Sequence, residues 1–192
     1  MLIVVDLYTD TCSPNLIATL KKYDVEFKII KELKDLDNIH VSSIILTGSP
    51  MRLSTPIDFD KLNVATYCHL NYAVPILGIC FGFQLLNALH GGSVKVFGRL
   101  VSEEHRGLHF NFNDVIDKVG KGFAVARRIK IDGRMVICHI IKSNIVGYLF
   151  HPESDFDKES YLLEWLTQYS TSTTCKRNRR VAHSPLKSHS RM

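Results

Sequence analysis

Residues 75–92 read PILGICFGFQLLNALHGG and place one cysteine, Cys80, between Gly78 and Gly82 where an apolar run meets a helix-like run. A strand, then G-x-C-x-G, then a helix is the cysteine form of a strained nucleophile elbow. A sharp turn brings backbone atoms together, and glycine removes the Cβ atoms that would clash. The sulfur would then project from the carboxyl edge of a sheet, at a helix N-terminus whose partial positive charge favours thiolate. The bland alternative is a small buried hydrophobe beside packing glycines, because cysteine is often buried. A second stretch, GYLFHPESD, places His151 just past an apolar run and Glu153 two residues later. Pro152 restricts His151 to an extended conformation. A thiol nucleophile needs a base, and the base needs an acid to orient its imidazole. Cys80, His151 and Glu153 can supply those three roles.

The elements that must position these residues are legible in outline. LIVVDLY (2–8), VEFKII (25–30), SSIILTG (42–48) and PILGI (75–79) have strand length and apolar character. Between them SPNLIATLKKY (13–23) reads as a helix, with Ser13 at the N-cap and Pro14 at the first helical position. KLNVATYCHLNY (61–72) is a weaker helix signal, and FGFQLLNALHGG closes on a glycine stop at Gly91 or Gly92. Alternating strands and helices predict an α/β fold with a mostly parallel sheet, helices on both faces and right-handed crossovers. From about residue 93 to 150 short strand-like runs dominate, so a smaller, partly antiparallel part is expected at the sheet edge. KESYLLEWLTQY (158–169) predicts a closing amphipathic helix.

The bulk numbers bound the class. At 192 residues, 45% hydrophobic and 22% charged, the chain suits one domain with a sizeable core. The net charge of +5 is concentrated in residues 171–192, which carry six Lys/Arg and no Asp/Glu. That tail is also Ser/Thr-rich, so one folded domain is expected over 1–170 and a disordered basic tail over 171–192. Its KRNRR cluster suits weak polyanion contact or a localisation signal, or is simply a solvated tail. No apolar run reaches the roughly 18 residues of a membrane span. The five cysteines have no CxxC spacing, which argues against a zinc ribbon or disulfide framework and for a reducing, cytoplasmic setting. Cys68–His69 and Cys138–His139 are adjacent pairs, not metal-ligand spacing. His105 and His109 lie in a segment with no helix signal, and GGSVKVFG lacks the dinucleotide register.

The sequence resembles the class I, triad-type glutamine amidotransferases over roughly residues 1–168. LGICFGFQLLN is similar to their nucleophile motif through Gly78, Cys80, Gly82 and Gln84. LFHPES is similar to their His–Glu block through Phe150, His151, Pro152, Glu153 and Ser154, and ILTGSP to their S-G-G-P loop through Gly48 and Pro50. The resemblance implies that Cys80 attacks the side-chain amide of glutamine to give a thioester and ammonia, with His151 transferring protons and Glu153 orienting it. It implies backbone amides of Ser49 and Phe81 as an oxyanion hole, and Gly48, Gln84, Asn111 and Phe112 around the substrate. It implies no cofactor and no metal, and a separate synthase partner of the GMP, anthranilate or aminodeoxychorismate type. Four positions depart from the pattern: Ser49 for a glycine, Leu149 for a glutamine, and Asn111–Phe112 for the Ser–His pair that helps grip the α-carboxylate. Two other functions stay open: a γ-glutamyl amide or peptide hydrolase using the same triad, and a non-catalytic regulatory homologue.

Overall fold

The computed structural model describes residues 1–8, 12–55, 59–154 and 161–169. The basic tail and its polyanion contact lie outside the described residues. The sheet strands come first: β1 (Leu2–Val5), β2 (Phe27–Ile30), β3 (Ser43–Leu46) and β4 (Ile76–Ile79), with β9 (Ile145–Tyr148) arriving late in the chain. Between them run α1 (Pro14–Lys22), α2 (Phe59–Asn71) and α3 (Phe81–Leu89), and α4 (Tyr161–Tyr169) comes last. The antiparallel region supplies β5 (Ser93–His105), β6 (Leu108–Lys118), β7 (Ala124–Ile131) and β8 (Arg134–Lys142). The seven-stranded sheet has the order β2-β1-β3-β4-β9-β8-β7. Neighbours from β2 to β9 are parallel, and β8 and β7 continue the sheet antiparallel.

Strands β1, β3, β4 and β9 are buried throughout, as expected where helices cover both faces of a parallel sheet. The pleat of β1 divides the core in two. Leu2 and Val4 join a cluster with Leu16 and Leu20 of α1 and Leu162 and Leu166 of α4. Ile3 and Val5 join another with Val64, Ala65 and Cys68 of α2 and Leu85 and Leu86 of α3. Helix α1 starts as its sequence implies: Ser13 Oγ accepts from Leu16 N at 3.5 Å, Pro14 stands at the first turn, and Lys21 and Lys22 face the negative end of the dipole.

The antiparallel region expected at the sheet edge divides into two parts. β7 and β8 extend the main sheet, whereas β5 and β6 form a separate two-stranded ribbon. The runs SVKVFG and LVSEE are one strand, broken in register between Val96 and Val101. This ribbon matters for the site because β6 is tied to the end of the sheet. Phe110 bridges Phe150, and His151 N donates to the His109 carbonyl at 2.8 Å.

Candidate active site

Cys80 stands between the end of β4 and the first residue of α3, at φ 51° and ψ −102°. A non-glycine residue there is strained. Close packing on both sides enforces it. A Cβ on Gly78 would lie 2.7 Å from the Gly82 carbonyl oxygen, and one on Gly82 would collide with the Leu46 carbonyl. The turn is pinned by Cys80 N donating to Tyr148 O at 2.7 Å and Gly82 N donating to Thr47 O at 3.1 Å. The glycines flanking Cys80 therefore serve the elbow read from the sequence, and β9, which leads to His151, holds it in place.

His151 follows β9 and Glu153 sits in a short 3-10 turn, Pro152–Ser154. His151 Nδ1 donates to Glu153 Oε1 at 2.9 Å, and both residues are buried. Burial alone would push the imidazole pKa down. Interaction with the neighbouring Cys80 and Glu153 outweighs it and holds the pKa well above the ordinary histidine value. The Cys80–His151 contact is looser than a full hydrogen bond. The thiol donates to the Asn111 carbonyl at 3.1 Å, and His151 Nε2 has no partner of good geometry among the described residues. Such looseness is common before substrate binds. Among the other described cysteines, burial pushes the Cys12 thiol up to about 12 and Cys68 and Cys138 up to about 11.

Cys80 and His151 open onto a cavity of about 420 Å³. Ser49, Phe81, Gln84, Asn111 and Phe112 line the same cavity, whereas Glu153 lies behind His151 and outside the lining. Gly48 is in reach as well: a Cβ there would meet Tyr8 Oη at 3.0 Å, His151 Cε1 at 3.2 Å and Cys80 Cβ at 3.6 Å. Ser49 has no left-handed backbone, and its hydroxyl secures the loop by donating to Leu7 O at 2.8 Å and accepting from Met51 N at 3.1 Å. Gln84 commits its amide to the Asp114 carbonyl at 2.7 Å, tying α3 to β6. Phe112 is buried against Phe97 and Phe110. A close-packed glycine loop, a buried thiol and a histidine at one cavity, with Glu153 behind the histidine, have the residue types that acyl transfer requires.

Over residues 3–164 the chain matches the model of the family described as Glutamine amidotransferase class-I. The chain belongs to the class I glutamine amidotransferases. One subunit of the glutamine-hydrolysing GMP synthase of Methanocaldococcus jannaschii is 31% identical over 159 residues, covering 70% of this chain and 79% of that protein. The corresponding GMP synthase subunit from Methanococcus maripaludis strain C5 is 30% identical over 156 residues, covering 70% and 78%. The glutamine-hydrolysing GMP synthase of Borreliella burgdorferi is 38% identical over 74 residues, and the chain covers only 12% of its length. In fold, the chain is similar to a GMP synthase subunit protein of Thermoplasma acidophilum, with a TM-score of 0.62 and 20% identity over 80% of this chain and 84% of that one. A Thermotoga maritima glutamine amidotransferase matches with a TM-score of 0.58 and 14% identity over 79% and 75%.

Tyr8, Arg52 and Asp114 are among the cavity residues that the sequence did not single out. Burial, then the charges of Glu153 and Cys80, push the Tyr8 phenol far up, so it stays a donor across the working range. Asp114 is a buried acid on an otherwise alternating strand, which was a readable signal; Arg52 and Tyr8 had none beyond lying just past a strand end. Among the described residues no group of three or more His, Cys, Asp or Glu could hold a metal ion, and no helix is long and apolar enough to cross a membrane.

Proposed function

We propose that this chain hydrolyses the side-chain amide of glutamine through a Cys80 thioester and passes the ammonia to a separate synthase. The observation that carries this reading is the strained Cys80 elbow sharing one cavity with a His151 that is hydrogen-bonded to Glu153. Cys80 Sγ attacks the amide carbon, and the C=O electrons move to oxygen. The backbone N–H groups of Ser49 and Phe81 face the developing oxyanion. His151 delivers a proton to the departing nitrogen, which leaves as ammonia, and a γ-glutamyl thioester remains. Water then attacks the thioester, His151 takes its proton, and glutamate departs with the thiolate restored. Glu153 keeps the ring oriented and stabilises its cationic form. Similarity to the archaeal GMP synthase subunits favours a GMP synthase-type partner over the anthranilate and aminodeoxychorismate types.

Incubation with glutamine and hydroxylamine should yield γ-glutamyl hydroxamate, and a Cys80→Ala protein should form none. Absence of hydroxamate, with no Cys80 adduct from a glutamine-like electrophile, refutes the reading.

A further inference from the structure

One wall of the cavity comes from the loop after β3 and another from β6, and each contributes a charge that no step above uses. Asp114 on β6 has a side chain only 1% exposed, while the Arg52 side chain is 33% exposed. Arg52 Nη2 and Nε both reach the same oxygen, Asp114 Oδ1, at 2.9 and 3.3 Å. The second oxygen, Oδ2, accepts from Ser54 N at 3.2 Å. A guanidinium has five donors in a planar fork. Gripping a single oxygen leaves its Nη1 edge without a bond among the described residues. Arg52 is also the one Lys or Arg among the described residues lining the cavity that holds Cys80.

We infer that Arg52 binds the α-carboxylate of the amino-acid substrate, with Asp114 as the positioning residue that holds the guanidinium at the wall of the cavity that Cys80 also lines. This rests on the amidotransferase reading and names the substrate class: a glutamine-like amide whose α-carboxylate is unblocked. Three observations converge on it. Phe112, on the same cavity wall as Asp114, offers no polar side-chain atom to a carboxylate. Arginine's planar donors suit a carboxylate better than any other side chain. The charge also balances, because the Arg52–Asp114 pair is neutral and so is a zwitterionic head group. A peptide-linked or amidated α-carboxyl would leave Arg52 with no anion to take. Asp114 is held from both sides, so Arg52 cannot swing away without leaving a buried carboxylate short of its partner.

The test is calorimetric titration of the full chain carrying Cys80→Ala, with L-glutamine and with L-glutaminamide, in which an amide replaces the α-carboxylate. Glutamine should bind roughly 10–100-fold more tightly, the range of one charge-assisted contact. Adding Arg52→Gln should erase that preference by weakening glutamine alone, and Arg52→Lys should keep part of it. Equal affinity for the two ligands before Arg52 is changed overturns the inference. So does an Arg52→Gln protein that weakens both ligands by the same factor, which is what a purely structural role predicts. If Arg52→Gln fails to fold, Arg52→Lys decides: an unchanged preference overturns the inference and a reduced one supports it. Binding is read apart from turnover. Preferential glutamine binding without hydroxamate formation by the unaltered chain would sink the hydrolysis reading and leave the Arg52 assignment standing.

Discussion

His139 offers a sharp test of how the strand beside the site is held. It lies on β8 opposite Tyr148 of β9, the strand that leads to His151. Its ring is 4.7 Å from that of Tyr148 and 6.3 Å from that of Tyr161, and its Nε2 is buried without a partner among the described residues. Burial, aided by the nearby Arg127 charge, pushes its pKa down from 6.5 to about 4. The unfolded chain therefore binds a proton between those values that the native state refuses. Stability is fully present above pH 6.5 and falls as the pH drops toward 4. A gap of roughly 2.5 pH units corresponds to about 3 kcal/mol for a fully buried group. The ring is only half-buried, so solvent screening reduces this to about 1–2 kcal/mol. With a urea dependence of about 1–3 kcal/mol per molar, that is a midpoint shift on the order of 0.5–1 M. The assay is urea unfolding of the unaltered chain and of His139→Phe at pH 7.5 and pH 4.5. His69 and His90, which burial also pushes down, stay in both proteins and cancel. His139→Phe should lose less stability in acid by that amount. Equal losses in the two proteins would refute the reasoning.

Cys80→Gly should be more stable than Cys80→Ala by about 1 kcal/mol, because φ 51° strains any residue with a Cβ; calorimetric melting checks the order, and the reverse order would mean the turn is unstrained. Gly48→Ala should cut turnover by about 10–100-fold with little change in Tm, since its Cβ would press on Tyr8 and on the His151 ring; unchanged turnover would place the reacting geometry elsewhere. A glutamine-like electrophile at pH 8 should label Cys80 well before Cys12, Cys68 and Cys138, whose thiols burial keeps protonated. Peptide mass spectrometry reads this directly. His151→Ala should cost several orders of magnitude, and Glu153→Gln about 10–10³-fold, because one carries the proton and the other orients it. Glu153→Gln should also lower the His151 pKa, so its pH–rate profile should move toward acid rather than merely scale.

The α/β class, the elbow and the His–Glu pair are legible in the amino-acid sequence, because each is a local property. Gly78 and Gly82 are demanded by backbone atoms within a few residues or on the adjoining strand, and Glu153 reaches His151 from two positions away. Four short apolar runs, the first two and the last two separated by helices, leave few topologies for a parallel sheet. What stands opposite what is settled only when the chain folds back on itself. Arg52 and Asp114 are 62 residues apart and Gln84 and Asp114 are 30 apart, so their meetings depend on where the β5–β6 ribbon folds back. Alternation along β6 told which side chains share a face, not which wall of the cavity that face would build. Phe112 was read as a substrate neighbour from its position in a motif. Its aromatic partners, Phe97 across the ribbon and Phe110 along β6, show that packing claims most of its surface. Long-range register is set by the summed burial of many residues, and no short stretch of sequence contains that sum.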